Sequence, residues 1–130
     1  MIGALTSGNQ QQLIADLFPS DQAGAGRTFL AAISAYPPAA PMPGPGLAAQ
    51  RNAVTQWWSG TDPAGKRERT ITAPTLVADG TLDQIDPVGN SRAVARLIHR
   101  ATLKLYPDAG HAFLIQDQTS FIALIEAFLR

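Results

Sequence analysis

The chain has 130 residues, with ten basic and ten acidic side chains, no net charge and no cysteine. That length suits one domain able to bury about two-thirds of its unfolded surface. Balanced charge argues against a basic nucleic-acid face, and the missing thiols exclude disulfides, a thiol nucleophile and a thiolate metal site.

Taken in order, residues 2–6 form a short apolar run closed by Ser7, Gly8 and Asn9, which predicts a buried strand ending in a turn. Asn9 is placed to cap a helix over residues 10–18, where Leu13, Ile14, Leu17 and Phe18 share one face, and Pro19 ends it. Ser20 or Asp21 is expected to cap a second helix reaching Tyr36, with Phe29, Leu30 and Ile33 repeating the same spacing. Its Gly24 and Gly26 weaken the first turn and lack the preceding strand and third glycine of a dinucleotide loop. Residues 37–46 hold five prolines and predict a stiff, extended connector. A third helix is expected over residues 47–58, carrying Leu47, Val54, Trp57 and Trp58, with Gly60 as its stop. Residues 61–70 read as a charged, solvated loop.

The strongest strand signal is residues 74–78, followed by Gly80 and Asp83. Asn90 or Ser91 is then expected to cap a helix that turns Val94, Leu97 and Ile98 inward. Arg92, Arg96, His99 and Arg100 lie outward or at its end, where positive charge suits the helix dipole. Residues 102–106 alternate as a second strand, which runs through Pro107 into Gly110 and His111. Thr119 or Ser120 is expected to cap a last helix whose Phe121, Leu124, Ile125 and Phe128 form one stripe. A strand, helix, strand unit of this kind would carry its two glycine turns, one with an acid and one with a histidine, to the same edge of a parallel sheet.

Pro74-Thr75-Leu76-Val77 leading to Gly80 and Asp83, then Gly110-His111-Ala112-Phe113 before a terminal amphipathic helix, resembles the C-terminal half of an α/β-hydrolase. The resemblance implies an α/β fold: a partial α/β-hydrolase with a short parallel sheet of two strands, the run at 2–6 being the candidate third, and flanking helices. It divides the chain into residues 1–70, a first strand and lid-like helices, and residues 71–130, the strand-helix-strand-helix end. The three early helices are equally well read as a cover for one face of a small sheet. Family members of this kind commonly run to roughly 200 residues or more, so the chain is expected to begin partway through the fold.

The resemblance also implies roles. Asp83 matches the family's acid and His111 its base, in a chemistry where the carboxylate accepts the Nδ1 hydrogen and Nε2 takes a proton from a nucleophile. Asp79 ends the strand too early, and Asp86 before Pro87 is better explained as a turn or cap former, which leaves Asp83 ahead with Asp86 as the runner-up. His99 at a helix end is explained by the dipole. The nucleophile is missing: no Gly-x-Ser-x-Gly occurs. Ser7 comes nearest, but Leu5 and Asn9 stand where the elbow needs glycine, while Ser20, Ser34, Ser59, Ser91 and Ser120 lie in, before or at the ends of helices.

The expected function is therefore the acid-and-base part of a serine-type hydrolase of esters, lactones or carbon-carbon bonds, inactive alone. No cofactor and no metal are expected, two histidines without acids at ligand spacing making a poor metal site. A small apolar ester-like substrate is expected only if a nucleophile half is supplied. Trp57, Trp58, Phe113 and Leu114 suit such a pocket, and core packing explains them equally. The alternative is an assembly module that pairs through the sheet edge at residues 2–6, giving a homo-oligomer or a complex with a complementing chain. No apolar stretch reaches the ~20 residues of a membrane span. Residues 1–5 lack a secretory signal's basic start and long apolar core. Those two readings predict a cytoplasmic protein without membrane contact.

Overall fold

The computed structural model describes residues 9–37, 40, 43–62 and 67–130. The expected strand at 2–6 and Ser7 lie outside them. Helix α1, Gln10–Leu17, is capped as predicted: the Asn9 side chain accepts from the Gln12 amide at 3.2 Å. After Pro19 a single 3-10 turn, Ser20–Gln22, leads into α2, Ala23–Ser34. Neither Ser20 nor Asp21 caps α2, because the tighter turn already consumes those residues and Gln22 takes the cap position without a side-chain bond. The two helices meet through Phe18 and Phe29, ring centres 5.9 Å apart, with Phe18 buried.

Helix α3, Gly44–Trp58, starts three residues before the expected Leu47 and takes up the end of the proline-rich connector. Pro45 lies within the first turn, where the missing amide hydrogen would have had no partner in any case, so proline costs little there. α3 buries no residue; Trp57 and Trp58 are 56% and 63% exposed. A 3-10 turn at Glu68–Thr70 breaks the expected charged loop.

The sheet consists, among the described residues, of two parallel strands: β1, Thr75–Gly80, and β2, Ala101–Tyr106. The fold is thus mixed α/β. The crossover helix α4, Val88–Leu97, packs on both strands with Ile98 buried just past its end, while Arg92, Arg96, His99 and Arg100 stay exposed, as the pattern predicts. It begins before Asn90 and Ser91 and uses Pro87 as its cap. Proline's fixed φ sets the entry, so Asn90 and Ser91 sit inside the helix with side chains free to bond elsewhere. The last helix is two pieces, α5, Phe113–Gln116, and α6, Gln118–Phe128. Neither Thr119 nor Ser120 caps α6: it starts earlier, and the Ser120 hydroxyl donates to the Asp117 carbonyl. No helix of the described residues is long and apolar enough to cross a membrane.

The best-buried side chains gather where the strands end rather than along the sheet. Tyr106, Ala109 and Ala112 are buried, and Tyr106 stacks on Phe113 at 5.2 Å while both meet Phe121 edge-on. Phe113 is therefore part of this aromatic cluster, whereas Leu114 is 42% exposed. The Tyr106 hydroxyl is buried with no partner among the described residues, at a desolvation cost of about 1–3 kcal/mol.

The strands end in step, Gly80 opposite Tyr106, so both following loops leave from one edge. They then close on each other. A Cβ on Gly80 would lie 2.3 Å from the carbonyl oxygens of both Ala109 and Gly110, a contact no side chain can make without moving backbone. Gly80→Ala should lower stability by about 3 kcal/mol in urea unfolding, at the upper end of overpacking costs. A loss below about 0.5 kcal/mol, the size of an ordinary surface substitution, would show that the two loops are not held in this contact.

Candidate functional site

The acid turn is built from backbone bonds to the base turn. The Thr81 amide donates to the Tyr106 carbonyl at 3.0 Å and the Leu82 amide to the Ala109 carbonyl at 2.9 Å. In return the Asp108 amide donates to the Thr81 hydroxyl at 3.0 Å, with Asp108 itself at φ 57°, the left-handed region that aspartate tolerates better than most residues. The base turn is fixed again from beyond the sheet. The Ala112 amide donates to the Leu17 carbonyl at the end of α1 (3.0 Å), and the Gly110 amide to the Gln116 side chain (2.9 Å). Gly110 has no room for a Cβ, which would meet the Leu17 oxygen at 2.7 Å.

These turns bring Asp83 and His111 together. Asp83 Oδ2 and His111 Nδ1 are 2.7 Å apart, across 28 residues of sequence. The other oxygen, Oδ1, accepts the amides of Ile85 (2.7 Å) and Asp86 (2.9 Å), an Asx-type turn that orients the carboxylate. With Oδ1 satisfied by two donors, Oδ2 is left as acceptor, and Nδ1 is assigned as the donor. The Asp83 side chain is 3% exposed and that of His111 42%. The acid is thus enclosed, while the imidazole reaches solvent with Nε2 as its remaining basic atom. Such a pair can hold one tautomer and stabilise the imidazolium formed when Nε2 takes a proton.

The other acidic candidates are committed elsewhere. Asp86 is exposed and its Oδ1 accepts from the side-chain Nδ2 of Asn90 at 2.6 Å, one helical turn on. Asp79 does not end its strand; it pairs in register with Leu105, is buried, and its Oδ2 accepts from the Ser91 hydroxyl at 2.7 Å. Burial is the largest reason its carboxyl holds a proton above the usual carboxylate range. The Ser91 bond opposes that, and the charge of Asp83 beside it adds to it. Asp79 and Ser91 are the residues that sequence reasoning passed over. The signal was present, since an acid inside an apolar strand must find a hydrogen-bond partner.

No serine among the described residues meets His111; its one ring partner there is Asp83. Ser91 follows Gly89 by two residues, but it lies inside α4, buried and bound to Asp79, which is the opposite of an exposed elbow. Ser59 donates to the Gln56 carbonyl and Ser120 to that of Asp117. No group of three or more acids and histidines among the described residues could hold a metal ion. In comparison with known proteins, the chain matches no family model and no curated sequence.

The raised proton affinity of Asp79 has a sign in stability. A carboxyl that binds its proton more tightly when folded favours the fold fully below its unfolded value of 3.8, and this contribution is lost as pH rises through the folded value. Asp79→Asn keeps the acceptor for Ser91 and removes the titration. Its stability relative to the unchanged chain should therefore increase from pH 4 upward and then level off, as followed by urea midpoints across pH. A difference that is constant with pH would show that Asp79 does not titrate abnormally.

Proposed function

We propose that this chain supplies the acid and base of a serine-type α/β-hydrolase acting on a small apolar ester, lactone or carbon-carbon bond, with a serine nucleophile that the chain itself does not encode. The observation that carries the reading is the 2.7 Å contact between buried Asp83 and half-exposed His111 at one edge of the parallel strands. The Gly80-x-x-Asp83 and Gly110-His111 motifs that resemble the family support it, as does the order of acid before base along the chain. Helices α1 to α3 are read as the lid, of which α1 touches the base turn through Leu17. His111 in this role takes the nucleophile's proton at Nε2 and returns it to the leaving group, while Asp83 holds Nδ1.

Without its nucleophile such a site retains only a small part of its rate enhancement. The chain alone should hydrolyse p-nitrophenyl butyrate no faster than an equal concentration of free imidazole and should not be labelled by a fluorophosphonate. A soluble alcohol given as acceptor should be acylated faster in its presence, and His111→Ala or Asp83→Asn should remove that increment. Labelling of any serine of the chain, or acylation indifferent to both substitutions, would overturn the reading.

The sheet itself favours a second reading, an assembly module. Parallel strands are ordinarily covered on both faces and supported by neighbours, yet here β1 and β2 each have an outer edge unpaired among the described residues. Light scattering over a wide range of concentration should then find a dimer or larger species, and a monomer throughout would remove self-association.

A further inference from the structure

The zero net charge of the chain hides a separation of charge from one end of the sheet to the other. The loops that leave the strands at Gly80 and Tyr106 carry exposed Asp86 and Asp108, and neither residues 81–91 nor residues 107–112 include a lysine or arginine. The half-exposed imidazole of His111 lies at this acidic edge. The opposite edge, where β1 and β2 begin, is basic. Arg96 stands in the last turn of α4, with exposed His99 and Arg100 just beyond it. The Arg100 carbonyl accepts from the Thr75 amide at 3.0 Å, which ties this segment to the first residue of β1. The 3-10 turn at Glu68–Thr70 packs on α4 and brings exposed Arg67 and Arg69 to that helix.

The helix dipole accounts for a cation in the last turn of α4, but not for arginines of a separate element. Among the described residues none of Arg67, Arg69, Arg96 and Arg100 is ion-paired, the two pairs there being His111 with Asp83 and Arg130 with Glu126. Half-buried Glu68 is the one acid in residues 67–78, and residues 92–106 contain none. An exposed guanidinium without a carboxylate is a fork open to one.

We propose that the basic edge of one copy of this chain docks on the acidic edge of a second copy, head to tail, with Arg96 and Arg100 facing Asp86 and Asp108 and the base couple beneath the contact. A second copy is favoured over a polyanion because this chain carries both surfaces, opposite in sign and at opposite ends of one sheet. A nucleic acid or an anionic membrane would leave the acidic edge unmatched. The two surfaces differ, so the contact is heterologous and builds rings or open chains rather than a closed pair. It rests on a few solvent-exposed charges, and it is therefore weak and sensitive to salt.

The chain has two histidines, one at each edge, and they report the contact without any substitution. Their Cε1 proton signals are followed by NMR at one pH as the protein is concentrated to about 1 mM, where even weak complexes form. The series is run in about 10 mM salt, where the Debye length is about 30 Å, and again in about 1 M, where it is about 3 Å. At low salt both signals should move together with one midpoint, and in 1 M salt both should keep their dilute positions. Movement of neither signal, or of one alone, would overturn the proposal. So would movement that survives 1 M salt, as pairing through the unpaired strand edges would.

Charge reversal gives the second arm. Arg96→Glu and Asp86→Lys should each raise the concentration at the midpoint by at least about tenfold, because like charges then meet. An equimolar mixture of the two variants should recover the association, since each reversed edge finds its opposite on the other variant. A mixture that does not recover it would overturn the proposal. Urea midpoints establish that the variants fold; where one does not, the salt comparison on the unchanged chain decides. If a single-stranded oligonucleotide or phosphatidylserine vesicles move the His99 signal while protein concentration does not, the basic edge takes a polyanion and the second copy is excluded. None of these readouts involves acyl transfer, so the inference stands or falls apart from the hydrolase reading.

Discussion

Everything at the candidate site depends on one close approach, that of Gly80 to the carbonyl oxygens of Ala109 and Gly110. A parallel pair of strands delivers two loops to the same edge, but strands about 4.8 Å apart do not by themselves bring side chains of those loops into hydrogen-bond range. Here the absence of a Cβ lets the backbones nearly touch, and Thr81, Leu82 and Asp108 lock them with three bonds. Asp83 and His111 then meet with no long side chain needed to span a gap. Each lock is worth about 0.5–1.5 kcal/mol on its own. Their value lies in acting on one short segment, where they remove the freedom that would otherwise let the carboxylate swing away.

Much of this arrangement was legible in the residues, and the parts that were not have physical causes. The strands and crossover helix announced themselves by apolar runs and 3.6-residue spacing, and the two glycine turns pointed to Asp83 and His111 because both required the chain to bend just beyond a strand. Cap positions were misread for different reasons: a 3-10 turn takes up Ser20 and Asp21, α6 starts before Thr119 and Ser120, and at α4 the residue with the cap-forming side chain has a stronger partner in three dimensions. Ser91 is a good cap former locally, yet its hydroxyl is used by Asp79, twelve residues before it, and Pro87 starts the helix instead. The short helix α5 escaped notice because four residues carry no period, and its start is set by the Phe113 amide bonding back to Gly110. Asp79 was discounted on strand position alone. What distinguishes it is burial and a long-range partner, neither of which a local pattern can carry.

The contrast in enclosure between the two partners shapes what the site can do. A carboxylate that is almost wholly enclosed and held by two amides is fixed in direction, while a half-exposed imidazole can be approached from solvent. That division suits a base that must exchange protons with something arriving from outside, and it fits poorly with a buried structural ion pair, in which both groups would be withdrawn from water. Ser59 and Ser120 are turned to backbone carbonyls and Ser91 to Asp79, and the one ring partner of the imidazole among the described residues is Asp83, so no hydroxyl there is bound to it.

The bond from the Ala112 amide to the Leu17 carbonyl means that the histidine turn is finished by a helix lying about ninety residues earlier in the chain. The strand-helix-strand segment alone would keep the acid and base in its sequence but lose one wall of the mould that shapes the second turn. Anyone dissecting or recombining this protein should therefore treat α1 and the base turn as a single heritable block, since a crossover between them would separate two halves of one fitted joint.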